Sequence, residues 1–449
     1  MRVNGQRSLA DGSLADLTQR RARLAARFDQ LKAAGLKLDL TRGKPDADQL
    51  ALSDGLDGVL GGDYRATDGT DVRNYGGIRG IPEARKLGAE ILGTNADDVI
   101  AAGNSSLTLM YQVVEAALAF GLFGERTAWR DESAARGRPV KFLCPVPGYD
   151  RHFAICEALG IEMVAVPMTD RGPDMDLVER AVGDDPMIKA IWCVPKYSNP
   201  TGCIYDEATV ARVARLPARA GKHFLVLWDN AYAVHDLESP APRLTSIAPL
   251  AAAAGQADHV VQFASTSKIT FAGAGVAFAA GSPTVLARLE RYLGAMEIGP
   301  DKVNQLRHAR FLSGRLEAHM RAHALLIAPK FAAVLNRLEA SLGNLRIARW
   351  TKPKGGYFIS FETEPGLAKR VVALAREAGV TLTPAGATHP YGRDPEDATI
   401  RIAPTFAALR DVEAATEVFA LCVELASVEK LIAERSAPPS APRASVDKK

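Results

Sequence analysis

Cysteine is scarce and scattered in this 449-residue chain. Five occur, at Cys144, Cys156, Cys193, Cys203 and Cys422, and no two form a CxxC pair. An odd number without paired spacing argues against a disulfide scaffold or a thiolate zinc site; no metal site is expected, and a reducing, cytoplasmic compartment fits. Charge of one sign is not in excess: 55 Lys and Arg stand against 52 Asp and Glu, a formal net charge of +3. That balance supplies no electrostatic footprint for nucleic acid or for an anionic membrane surface. Long apolar runs are missing as well. The richest stretch, Ala324 to Leu335, is broken by Pro329 and Lys330, and the opening MRVNGQRSLADGSLADLTQR lacks the apolar core of a signal peptide.

What remains is an ordinary globular composition, 47% hydrophobic and 24% charged, at a length that suggests two or three domains. Leu14, Leu17, Leu24, Phe28 and Leu31 recur at helical spacing over 13–34. The arginines among them, Arg20, Arg21, Arg23 and Arg27, read as a solvated helix face. From residue 97 short apolar runs alternate with helical stretches: Val99–Ala102, Val140–Cys144, Ile161–Val166, Ile188–Val194, Phe224–Trp228, Val260–Ala264 and Val276–Ala280. Most are continuously apolar, as expected of strands covered on both faces, so the pattern predicts an α/β fold with a mainly parallel seven-stranded sheet. A long helical stretch from Val303 to Leu342 follows, with a kink expected at Pro329, and then a strand at 355–361, a helix at 366–378 and a strand pair ending at Ile402. The domain expectation is therefore an N-terminal helix and loop (1–60) packing with the small domain, and a large α/β domain (61–310). An interdomain helix with a smaller α+β domain (311–435) and a disordered Pro/Ser/Ala-rich tail (436–449) complete it.

Three segments fall where strands end, the edge at which open α/β sheets bind ligands. They are Tyr197-Ser198-Asn199-Pro200-Thr201-Gly202, Asp229-Asn230-Ala231-Tyr232 and Ser265-Thr266-Ser267-Lys268. Alone, each reads as a turn, a helix cap or a surface lysine. Together they place an amine, a carboxylate and two hydrogen-bond donors on adjacent strand ends. Pyridoxal phosphate needs this set: an amine to form a Schiff base, a carboxylate to keep the ring nitrogen protonated, and donors such as Asn199 and Tyr232 for the ring oxygen. Gly103-Asn104-Ser105-Ser106, between a strand and a helix start, supplies free N–H groups and hydroxyls for a phosphate.

These ordered segments resemble the fold type I pyridoxal-phosphate aminotransferases of the class I/II superfamily, from about residue 38 to about 425. NYGGIRGIPEAR (74–85), PKYSNPTG (195–202) and STSKITFAGAG (265–275) resemble a narrower branch, the class Ic aspartate aminotransferases. The resemblance implies that Lys268 is the Schiff-base lysine and proton carrier, that Asp229 pairs with the pyridine nitrogen, and that Tyr232 and Asn199 serve the ring hydroxyl. It further implies that Tyr149 stacks on the ring, that His152 supports Asp229, and that Asn104, Ser105, Ser106, Ser265 and Ser267 belong to the phosphate pocket. Tyr75 would reach the phosphate of a neighbouring subunit, which implies a homodimer with shared active sites. Arg401 would grip the substrate α-carboxylate, beside Asn199 and Gly43 of TRGKP. One position departs from the pattern: eight residues after Lys268, where the superfamily commonly has a phosphate-binding arginine, stands Val276.

The implied activity is ping-pong transamination of amino and oxo acids, with L-aspartate and 2-oxoglutarate favoured by the narrow resemblance. An alanine or aromatic donor, a pyridoxal-phosphate lyase, or a regulator that merely binds the cofactor are the alternatives. Arg79 and Lys196 are candidate cations for a second substrate carboxylate.

Overall fold

The computed structural model describes residues 9–436. The seven apolar runs become strands of one sheet. From one edge its order is Val99–Ala101, Ala277–Ala280, Val260–Ser265, Leu225–Asp229, Ile188–Cys193, Lys141–Val146, Glu162–Thr169 and Gly172–Pro173. The sheet thus has eight strands rather than seven. The added one, Gly172–Pro173, pairs antiparallel with Met168 and Thr169; two residues set by a preceding turn leave no apolar run to read. The five strands from Val260–Ser265 to Glu162–Thr169 pair in parallel, and Ala277–Ala280 is antiparallel to both its neighbours. Strands 188–193 and 225–229 are buried at every position, which explains their continuous apolar character, whereas 162–169 alternates near the edge.

The 303–342 stretch is two helices, Lys302–Leu312 and Leu316–Leu342. The chain turns at Gly314, where φ is +63°, a conformation that costs glycine little. Pro329, where a kink is expected, lies inside the second helix. Beyond it, Ala348–Trp350, Ile359–Thr363 and Thr399–Ile402 form an antiparallel sheet. Phe361 of that sheet meets Phe419 of the last helix, Leu409–Ser436, edge to face at 4.8 Å. Leu17 and Phe28 of the N-terminal helix, Leu14–Ala33, share this apolar cluster. That helix starts at Ser13, whose hydroxyl accepts from the Asp16 N–H at 3.1 Å.

The arginine run is a largely solvated face, as expected, with Arg21, Arg23 and Arg27 exposed, and some of its members also find partners. Arg20 pairs with Glu424 at 2.6 Å and Arg27 with Glu417 at 2.7 Å, both on the last helix. Partly exposed pairs of this kind contribute about 0–1 kcal/mol each, so they orient the helix more than they hold it. Leu56 and Leu60, expected with the small domain, pack instead with Val99, Ala101 and Phe278 of the large sheet. All five cysteines are free, and four of them are buried. Among the described residues no helix is long and apolar enough to cross a membrane. The tail expectation lies outside the described residues from 437 onward; Ser436 ends the last helix.

Candidate active site

Parallel strands deliver their C-terminal ends to one edge of the sheet, and the predicted chemistry gathers there. Asp229 is the last residue of its strand, and Tyr232 follows one turn later. Lys268 closes a single helical turn after strand 260–265. Its ammonium lies 5.0 Å from the Tyr232 ring centre. Lys268, Tyr232, Tyr149, Arg401 and Gly43 line one cleft of about 520 Å³.

Asp229 is buried. Its Oδ2 lies 3.1 Å from His152 Nε2, while its Oδ1 has no partner among the described residues. His152 stacks on Trp192 with ring centres 4.2 Å apart and planes within 8°, so the imidazole cannot turn away from the carboxylate. Tyr149 packs edge-on against His152 at 5.0 Å. Buried polar atoms seldom stay unpaired; a buried carboxylate oxygen left over beside an amine is a fitting acceptor for a protonated ring nitrogen. Asn199 repeats the pattern. Its Oδ1 accepts from Arg401 Nη1 at 3.3 Å, and its buried Nδ2 has no acceptor among the described residues. The residues present therefore fit pyridoxal phosphate.

Surroundings set the protonation states. Burial pushes the Tyr232 hydroxyl well above its ordinary value, with Tyr149 and Asp229 adding to the effect, so it remains a donor. Desolvation lowers the Lys268 ammonium from 10.5, opposed by Asp229, which favours the free amine that nucleophilic chemistry requires.

The phosphate candidates also converge. Ser105 stands at the N-cap of helix Ser106–Glu115 without a side-chain cap bond. Ser265 Oγ donates to Ser267 Oγ at 3.2 Å, Ser267 Oγ to the Asn104 carbonyl at 2.9 Å, and Asn104 Nδ2 to the Gly273 carbonyl at 3.2 Å. Val276 points elsewhere: it is buried in an apolar cluster, and its N–H donates to Thr266 Oγ1 at 2.9 Å. Hydroxyls and helix-start N–H groups are thus what this chain offers a phosphate.

Three expected residues lie outside the cleft of their own chain. Tyr75 is 78% exposed. Lys196 is buried and spent on Asp236, at 2.6 Å, and on the Ala233 carbonyl, at 2.9 Å. Arg79 donates to the Asp97 carbonyl. Neither cation lines the cleft of its own chain.

Sequence reading missed three features. Asp150 Oδ1 accepts from Arg401 Nη1 at 2.8 Å, so a carboxylate of the protein touches the guanidinium expected to grip a substrate; it directly follows Tyr149, and nothing in the spacing signals it. Trp192, behind His152, read only as strand core. The third is a clamp beneath Lys268. The Lys268 carbonyl accepts from His235 Nε2 and from the Tyr357 hydroxyl, both at 3.2 Å. The Ile269 carbonyl accepts from His319 Nε2 at 2.7 Å and His323 Nε2 at 2.8 Å. A carbonyl only accepts, so each of these Nε2 atoms carries the proton. Gln49 Nε2 donates to Tyr357 at 3.1 Å and lies 3.3 Å from His323 Nδ1. Burial pushes His235 down to about 3 and His323 to about 4, keeping both neutral.

Similarity to known proteins agrees with this geometry. The family model described as aspartate amino-transferase matches residues 9–435. A Mycolicibacterium smegmatis protein assigned only to the aminotransferases is 50% identical over 413 residues, 91% of this chain and 95% of that one. The aspartate aminotransferase of Corynebacterium glutamicum is 46% identical over 406 residues, 90% and 92% of the two chains. The crystal structure of an aspartate transaminase from Corynebacterium glutamicum superposes with a TM-score of 0.91 at 43% identity, covering 95% of this chain and all of that one. With this fold, this coverage and a floor built for pyridoxal phosphate, the chain belongs to the aspartate amino-transferase family of fold type I, pyridoxal-phosphate-dependent enzymes.

Proposed function

We propose that the protein transfers the amino group of L-aspartate to 2-oxoglutarate. The observation that carries this reading is the meeting, in one cleft, of an amine (Lys268) and a buried guanidinium (Arg401), with the buried Asp229, one of its oxygens unclaimed, close enough for its charge to act on the Lys268 ammonium. Pyridoxal phosphate, when bound, supplies an electron sink for the charge left on Cα when its proton departs. The chain's own residues do the rest. Arg401 holds the α-carboxylate, its planar fork oriented by Asn199 and by the Phe358 ring 4.8 Å from the guanidinium carbon. Asp150 yields its place on Nη1 as the substrate enters. Lys268, its amine favoured by desolvation, would take the Cα proton and deliver it to the cofactor carbon on the far side of the substrate nitrogen. Asp229, fixed by His152 and Trp192, would accept from the cofactor's ring nitrogen, while Tyr232 and Asn199 would donate to its ring oxygen. The amino donor departs as a 2-oxo acid before the acceptor enters the same cleft.

The name of the Corynebacterium glutamicum relative supports aspartate as donor. In the proposed homodimer, exposed Tyr75 completes the partner's phosphate site; its loop is braced where Lys302 Nζ donates to the Gly76 carbonyl at 2.6 Å.

The test is a panel of L-amino acids mixed with the holoprotein, following visible absorption of the cofactor and release of the oxo acid. Aspartate and glutamate are expected to react fastest. An alanine or aromatic donor reacting far faster than aspartate overturns the assignment.

A further inference from the structure

A dicarboxylic donor carries a second carboxylate, and the two cations expected to meet it are engaged elsewhere. The cleft itself offers others. Arg42, Lys44 and Arg151 line it together with Lys268 and Arg401, against the single carboxylate of Asp150. Arg151 lies 3.9 Å from Asp150 Oδ2, and the Lys44 ammonium sits 3.9 Å over the Phe406 ring. Arg42 has no hydrogen bond, ion pair or ring contact with any described residue, although it is a forked cation at the mouth of a binding cleft.

Its backbone is far from free. Thr41 donates to Asp39 Oδ1 through both N–H, at 2.7 Å, and hydroxyl, at 2.6 Å. Thr383 Oγ1 donates to the Thr41 carbonyl at 3.3 Å and Thr405 Oγ1 to the Lys44 carbonyl at 3.2 Å. Farther along, Asp46 is held by the buried Lys330 ammonium. Between these anchors a Cβ placed on Gly43 would lie 2.2 Å from Phe358 Cζ, so the loop lies directly against that ring. The same ring carries Arg401. Arg42 is thus one residue from a contact that fixes its backbone relative to the guanidinium for the first carboxylate. A rigid backbone carrying an unspent fork is the arrangement that recognises a carboxylate with little ordering cost.

Resting on the reading of a dicarboxylic donor, we infer that Arg42 recognises the side-chain carboxylate of the substrate while Arg401 holds the α-carboxylate. Lys44, drawn over Phe406, contributes positive potential rather than the direct contact.

The experiment measures kcat/KM of the holoenzyme for aspartate and for alanine, in the wild type, Arg42→Gln and Lys44→Gln. Inhibition by succinate and by propionate gives the same comparison without turnover. Loss of a charge-assisted fork to the second carboxylate is expected to cut the aspartate-to-alanine ratio by roughly 30-fold in Arg42→Gln, and the succinate-to-propionate ratio similarly. Lys44→Gln is expected to change both ratios less than about threefold. Arg42 is exposed, so its variant keeps every described core contact. If the wild type prefers aspartate and Arg42→Gln keeps that preference, the assignment of Arg42 fails while the donor assignment stands. A collapse of the ratio in Lys44→Gln alone also overturns it. If the wild type shows no preference for the dicarboxylate, both readings fail together.

Discussion

The floor and the rim of the cleft follow opposite rules. On the floor Asp229, Asn199, Tyr232 and Arg401 are buried, and Asp229, Asn199 and Arg401 are paired down to isolated leftover atoms, Asp229 Oδ1, Asn199 Nδ2 and Arg401 Nε. On the rim Arg42, Lys44 and Arg151 are exposed, and Arg42 has no partner among the described residues. Burial explains the contrast. A charge withdrawn from water must be met by the protein, so the floor's geometry is set before any ligand arrives. A solvated charge costs little to leave free, so the rim keeps its cations available for selection. The floor is built for chemistry and the rim for choice.

Removing the amine is the strongest way to break the comparison. Lys268→Ala is expected to lower turnover by at least about 10⁴-fold, because nucleophile and proton carrier are lost together. Aspartate half-reactions and the visible spectrum of the purified protein check this; a variant with the wild-type spectrum would show that another lysine holds the cofactor. Asp229→Asn comes next. The amide keeps an acceptor oxygen but loses the negative charge that holds the ring nitrogen protonated, and kcat is expected to fall on the order of 10³-fold. Asp229→Glu should recover part of it. If both variants lose equally little, the unclaimed oxygen is not the one that matters.

The two regions differed also in how far the sequence revealed them. The floor sits on short segments at fixed offsets from strand ends, so Lys268, Asp229, Tyr232 and Asn199 could be placed once the strands were recognised as parallel. The apolar runs were legible because both faces of the sheet are covered. Gly172–Pro173 escaped notice because a two-residue edge strand has no periodicity. The Gly314 turn does not show in the sequence because Leu and Ala recur on both sides of it, so the stretch reads as one helical run. The clamp beneath Lys268 was illegible for a different reason: His235, Tyr357, His319 and His323 come from segments up to 122 positions apart in the numbering (235 to 357), and only the tertiary fold points them at two adjacent carbonyls. Asp150 was hidden in plain view, since no local pattern says that a carboxylate will face Arg401.

A smaller change sharpens the boundary between floor and rim. Gly43→Ala puts a methyl 2.2 Å from Phe358 Cζ, so either the ring or the loop must move, and Arg401 with the ring. KM for aspartate is expected to rise about tenfold, with kcat less affected, since the loss falls on binding before chemistry. Steady-state kinetics decide it; an unchanged KM would show that the loop gives way without disturbing Arg401.

The smallest expected effect concerns the floor's deepest layer. His235 and His323 stay neutral in the fold to about pH 3 and pH 4, because burial penalises the imidazolium. In the unfolded chain both take up protons near pH 6.5. Between these limits the unfolded state binds more protons than the folded one, so stability falls as pH drops below about 6.5 and is unaffected by these groups above it. Carboxylates add their own acid sensitivity, and a single variant separates the two. His323→Gln removes one such uptake and retains an amide able to donate to the Ile269 carbonyl. It is expected to be less stable than wild type at pH 7.5 by about 1 kcal/mol, from an imperfect replacement bond. Between pH 6 and pH 5 the gap should narrow, at a rate approaching 1.4 kcal/mol per pH unit. Urea midpoints of the two proteins across that range measure the gap directly. Parallel curves would mean that His323 titrates in the fold as it does in water, and that the carbonyl beside Lys268 is held by something other than a neutral imidazole.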